Sequence, residues 1–230
     1  MALPDFARTN LDALPAGDLR FLIEHFPEPG RSYEEIAAVM GRLPSTLESM
    51  IESDYVRRWI MDQRTLLIEV SPFLLFNVLL RHTLPGERTA LDRKVINYIA
   101  NLLSLFVRVD RLYRVHPMDE VTSEYLVDMI RRIPESDPAE RFAIYAHAGN
   151  FALFFTGMFP DWIEHRFRFK RRPVNRDYYE QQGGACFNRA GLHPRAGEYR
   201  LKDVFLRLAL GFGYYSRALN EMRRRYFKIA

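Results

Sequence analysis

A single cysteine, Cys186, serves the whole 230-residue chain, so no internal disulfide can form and a reducing compartment, the cytoplasm, is the expected setting. Lysine is scarce as well: of 33 cationic residues only Lys94, Lys170, Lys202 and Lys228 are lysines. Arginine forks favour planar acidic groups and aromatic faces, so some of the remaining cations are expected to be internal ion-pair partners. No segment shows convincing alternation of apolar and polar residues, which excludes half-buried strands and leaves an all-α fold. The stretch MALPDFARTNLDALPAGD at the N-terminus lacks a basic region followed by an apolar run, so no secretory signal is expected. No HExxH motif occurs, and none of the six histidines has a glutamate three residues before it. The signatures of zincins and of di-iron bundles are therefore missing, so no metal is expected, and any other cofactor is left unknown.

Charge is absent altogether from Phe142 to Phe159, FAIYAHAGNFALFFTGMF, where only His147, Asn150, Thr156 and the Tyr145 hydroxyl interrupt the apolar run. A helix apolar nearly all round must be surrounded by protein or by lipid. Its eighteen residues reach about 27 Å, short of a comfortable bilayer span, and two strongly polar groups in mid-span are costly in lipid. No transmembrane segment is expected. The reading is a multi-helix bundle around a central apolar helix at about 138–159. A small N-terminal helical appendage is expected over 1–62, and the main bundle domain, one compact unit, over 63–230. Apolar residues at 48% and charged residues at 27% suit a sizeable core and exclude disorder for most of the length.

In chain order, a helix is expected from about Asp18 to Phe26, stopped by PEPG at 27–30. Ser32 with Glu35, and Ser45 with Glu48, read as capping boxes that open helices to Met40 and towards Trp59. Another helix runs over about 64–83, with Pro72 either kinking it or sitting at its first position after Ser71. A long helix over 87–111 carries Leu91, Val95, Ile99, Leu102, Leu103 and Phe106 at spacings of three and four. The next opens around Asp119 and ends near Ile133-Pro134. Asp137 and Pro138 are the cap and first position of the central helix, and Pro160 ends it. Helices over 162–172, 175–191 and 201–227 complete the chain, with HPRAGEYR (193–200) as a loop.

Four segments, VSPFLLFNVLLR (70–81), YIANLLSLF (98–106), GNFALFFTGMFP (149–160) and DYYEQQG (177–183), together resemble a family of uncharacterised prokaryotic helical proteins. The resemblance covers most of 60–190, implies one all-helical domain and supplies no activity. In that family an aspartate often stands where this chain has Asn150, so a charge-dependent role does not carry over to that position.

Two regions invite a nucleic-acid reading. Residues 18–54, containing SYEEIAAVMGRLPSTLESMIESD, resemble a helix-turn-helix. A recognition helix, however, needs donors and cations, and residues 45–54 offer Glu48, Glu52 and Asp54 with no lysine or arginine. In WIEHRFRFKRRPVNR (162–176), aromatic and basic residues alternate, and Arg166, Arg168, Lys170, Arg171 and Arg172 could grip a polyanion or a partner. Residues 162–230 carry 16 cations against 6 acids, +10, and the remainder carries −6. The alternative is a surface helix whose arginines face water or pair with those acids.

Catalytic residues are not assignable. Asp161, Glu164 and His165 could share one face, as could Glu120 and Glu124, but such acids are common at helix starts, where carboxylates complement the helix dipole. Cys186 could meet His147 across two helices as a thiol–imidazole pair, which ranks an enzyme third among the readings. His147 and Asn150 share a helix face, and burying either unpaired costs about 1–3 kcal/mol. Either partners within the chain close that network, or a ligand does. The leading expectation is therefore a protein that binds a small apolar molecule or a protein partner around Tyr145, His147, Asn150, Tyr178, Tyr179 and Gln182. Nucleic-acid binding is second.

Overall fold

In a computed structural model of the chain, the described residues are 3–12, 14–25, 44–61, 70–84, 86, 88–116, 119, 123, 125–169 and 174–227. Thirteen α-helices and two 3-10 turns, and no strand, form among them. The fold is an all-α multi-helix bundle, as the absence of alternation predicts. The chain divides into two compact units, residues 8–104 in one, residues 1–7 with 105–230 in the other. This differs from the boundary expected near residue 62, because helices before and after that point pack on one another.

In the 8–104 unit, α1 is Ala16–His25, α2 Pro44–Glu52, α3 Asp54–Met61, α4 Pro72–Thr83 and α5 Ala90–Phe106, whose last two residues belong to the other unit. Helix α4 packs on both α2 and α3. Ser71 caps α4 by accepting from the Leu74 amide at 3.2 Å, and Pro72 takes the first helical position rather than kinking a longer helix. The Ser71 amide and hydroxyl both donate to buried Asp18, tying α1 to the start of α4. Ser45 does not open a capping box: Pro44 already lies in the helix, and Glu48 is drawn to Arg81 at 2.6 Å. The helix from there does not reach Trp59 unbroken but restarts at Asp54, with Ser53 accepting from the Val56 amide. The Ser32–Glu35 pair, the PEPG stop and residues 64–69 lie outside the described residues.

In the other unit, α6 is Val109–Tyr113, α7 Leu126–Arg132, α8 Pro138–Met158, α9 Pro160–Phe169, α10 Arg176–Leu192, α11 Pro194–Glu198, α12 Lys202–Leu210 and α13 Phe212–Tyr226. The expected 87–111 helix breaks at Val107-Arg108, and the one expected from Asp119 begins only after Tyr125. Central α8 starts as its sequence predicts, with Asp137 accepting from the Ala139 and Glu140 amides at 2.7 and 2.9 Å and Pro138 at the first position. From Phe142 to Met158 only Tyr145 is not buried. Helices α7, α9, α10 and α13 surround it. Small residues let α10 approach closely: a Cβ built at Gly149 would lie 2.7 Å from Phe187, and one at Gly183 would lie 2.6 Å from Ala152 and 2.5 Å from Phe212. At Phe159-Pro160 the chain turns 91° into α9, and no single helix among the described residues is long and apolar enough to cross a membrane. HPRAGEYR is not a loop but the turn α11, capped by His193. The last helix is broken at Gly211.

Candidate functional site

The polar groups of α8 turn to the chain itself. His147 places Nε2 3.0 Å from the Leu112 carbonyl, with the Phe106 ring edge-on at 5.6 Å. Burial drives this imidazole down to about 4, with Arg111 adding to the effect and the Leu112 carbonyl opposing it. It is therefore neutral near pH 7, and a neutral ring facing a carbonyl carries its proton on Nε2 and donates. Thr156 donates to the Ala152 carbonyl at 2.8 Å, and Asn150 is buried and engaged. Burial pushes the Cys186 thiol up to about 11. A protonated thiol and an imidazole already committed to Leu112 do not make an activated nucleophile. Tyr145 is half-buried, with the Arg189 guanidinium 5.7 Å from its ring centre. Of the six ligand-candidate residues, His147 and Asn150 thus belong to the closed core.

Tyr178, Tyr179 and Gln182 lie at the rim instead, on one face of α10 by their spacing of three and four. Asn175 caps this helix by accepting from the Tyr178 amide at 2.9 Å, which fixes where the two tyrosines emerge. Tyr179 is buried and Tyr178 half-buried. Burial raises both phenols, Tyr179 to about 12, against the pull of Arg166 on Tyr179 and of Arg131 on Tyr178. Both remain neutral hydroxyls that can donate or accept.

Helix α9 brings the second half of this rim. Trp162 stacks on Phe155 of α8 at 4.7 Å and 30°, which anchors the first turn of α9. One turn on, Arg166 lies with its guanidinium 4.5 Å from the Trp162 ring and 4.9 Å from the Tyr125 ring, and it donates to the Tyr125 hydroxyl at 2.6 Å. Arg166, expected on a basic surface, also acts on Tyr179, expected in a pocket, and Tyr179 in turn packs edge-on with Tyr178 at 6.3 Å. Sequence reasoning missed Tyr125 and Arg131. The four-residue spacing of Trp162 and Arg166 was legible as a helix-face pair, but Tyr125 reaches Arg166 across 41 residues, which no local pattern signals.

Arg168 pairs with Glu164 at 3.3 Å, and Lys170, Arg171 and Arg172 lie outside the described residues, as do 26–43 of the helix-turn-helix-like stretch. Glu48 and Glu52 are both engaged by Arg81. Among the described residues no group of three or more His, Cys, Asp or Glu could hold a metal ion. No protein-family model, curated protein or solved structure matches the chain.

Proposed function

We propose that this protein is a binding protein rather than an enzyme, and that it takes a small ligand with an apolar body at the rim built from Tyr125, Trp162, Arg166, Tyr178, Tyr179 and Gln182. The observation that carries this reading is the contrast between core and rim. In the core, His147 and Thr156 spend their polar atoms on backbone carbonyls. At the rim, half-buried Trp162 and Tyr125 lie against the Arg166 guanidinium, and buried Tyr179 of α10 is close enough to feel its charge. Mostly apolar walls with a few convergent polar groups are how bundle proteins hold small molecules. Ionisation argues the same way: burial moves His147, Cys186 and Tyr179 towards their neutral forms, which suits binding and not proton transfer or nucleophilic attack near neutral pH. The setting is the reducing cytoplasm, where Cys186 stays a thiol.

Trp162 is the built-in reporter, since Trp59 is the other tryptophan. In a Trp59→Phe background, octanol or octanoate is expected to shift or quench Trp162 emission saturably, and Tyr179→Ala with Tyr178→Ala is expected to weaken the response. If neither probe changes the emission up to its solubility limit, the binding reading fails.

A further inference from the structure

Several arginines of the 105–230 unit are matched to acids. Arg176 pairs with Glu180 at 2.9 Å, Arg132 with Glu140 at 3.1 Å, Arg223 with Asp161 at 3.1 Å and Arg168 with Glu164 at 3.3 Å. Even exposed Arg108 has Asp110 at 3.1 Å. Arg166 is held in another way. It is half-buried, yet its partners among the described residues are two aromatic faces and one phenol hydroxyl, with no carboxylate. A guanidinium has five N–H donors in a planar fork, and Tyr125 takes one of them. Withdrawing such a charge from water without an anion is costly, and cation–π contacts return only part of that cost.

We infer that Arg166 is a carboxylate receptor, so that the ligand of the rim is an amphiphilic monocarboxylate. This rests on the reading of the rim as a binding site. The guanidinium lies over the Trp162 and Tyr125 rings and spends one N–H on the Tyr125 hydroxyl, which leaves its other donors for hydrogen bonds to a carboxylate. Charge selects the monoanion: one uncompensated guanidinium is neutralised by one carboxylate, whereas a phosphate monoester near its second ionisation brings close to two charges. Among the described residues, the other cation that bears on these tyrosines, Arg131, is solvent-exposed and screened. The apolar body of the ligand then rests against Trp162 and the Tyr178 ring. Tyr125 acts through Arg166, as a positioning residue.

The test compares three probes of one chain length, octanoate, octanol and octyl phosphate, by calorimetry on the full chain. Octanoate is expected to bind about tenfold or more tightly than octanol, the difference that charged hydrogen bonds supply. Arg166→Gln should bring octanoate down to the octanol value and leave octanol unchanged. Tyr125→Phe, which keeps the ring and removes the hydroxyl, should weaken octanoate several-fold with octanol again unchanged. This second variant keeps the test valid if Arg166→Gln folds poorly. Equal affinities for octanoate and octanol overturn the carboxylate assignment while the binding site stands. Tighter binding of octyl phosphate than of octanoate overturns the monocarboxylate class. Binding of none of the three removes the site itself.

Discussion

Arg81 and Glu48 meet at 2.6 Å with the arginine side chain wholly buried, and the same guanidinium reaches Glu52 at 2.8 Å. Arg81 also donates to Asn77 at 3.1 Å and to Asn97 at 3.0 Å, so one side chain of α4 ties together α2, α4 and α5. This relationship explains two features of the N-terminal region at once. It explains why residues 44–61 do not stand apart as an appendage. It also explains why the acids of the helix-turn-helix-like stretch are there: they serve a buried cation.

Removing that cation leaves two partly buried carboxylates with only the longer contacts to Arg88 at 3.3 Å and Arg93 at 3.7 Å. Arg81→Ala is expected to destabilise the 8–104 unit by about 3–5 kcal/mol. Glu48→Gln, which keeps Glu52 as a partner, should cost about 1 kcal/mol. Urea denaturation followed by circular dichroism measures both. A loss under 1 kcal/mol for Arg81→Ala would show the pairs to be energetically idle.

The depressed imidazole of His147 predicts acid sensitivity. Its folded value near 4 lies below the unfolded value of 6.5, so the native state binds fewer protons between them and stability is lost as pH falls through that window. The full loss is about 3 kcal/mol, from about 1.4 kcal/mol per pH unit. Buried Asp18, raised by desolvation, contributes with the opposite sign at the acid end, so the comparison is wild type against His147→Gln at each pH. Urea midpoints of the variant should show a flatter slope between pH 6.5 and 4. Parallel slopes would contradict the buried neutral imidazole.

Two glycine substitutions should act in opposite directions. Gly183→Ala places a methyl 2.5 Å from Phe212 and 2.6 Å from Ala152 and should destabilise by about 1–3 kcal/mol. Gly197→Ala meets nothing within 4 Å and should be neutral or stabilise by about 0.4–1 kcal/mol. Thermal unfolding of the pair decides it. Equal melting temperatures would mean that the α8–α10 approach tolerates a side chain.

The parts of the fold legible in the sequence are those fixed by neighbours along the chain. Asp137-Pro138 opens α8 and Pro160 closes it, because capping and the missing proline amide act within one turn. Ser71-Pro72 resolves as a cap for the same reason. What misled was local chemistry claimed by distant partners. Glu48 has the spacing of a capping box, yet Arg81 takes it; 193–200 reads as loop, yet His193 caps a turn there. The long helices are broken at Val107-Arg108 and at Gly211 without a proline to announce it. At the site, the sequence marked Tyr178, Tyr179 and Arg166 separately, and the Tyr125 contact that holds Arg166 is purely tertiary. His147 and Asn150 looked like ligand groups because sequence displays a polar atom without its partner.

The most direct measurement of the central claim, that binding occurs at the rim and not in the core, is two-dimensional NMR of the Trp59→Phe protein during an octanoate titration. Two signals are followed together, the Trp162 indole N–H and the His147 ring. The account predicts that the Trp162 resonance moves saturably while His147, held on the Leu112 carbonyl 3.0 Å away, stays in place. Movement of His147 with Trp162 unchanged would put the ligand inside the bundle and contradict it.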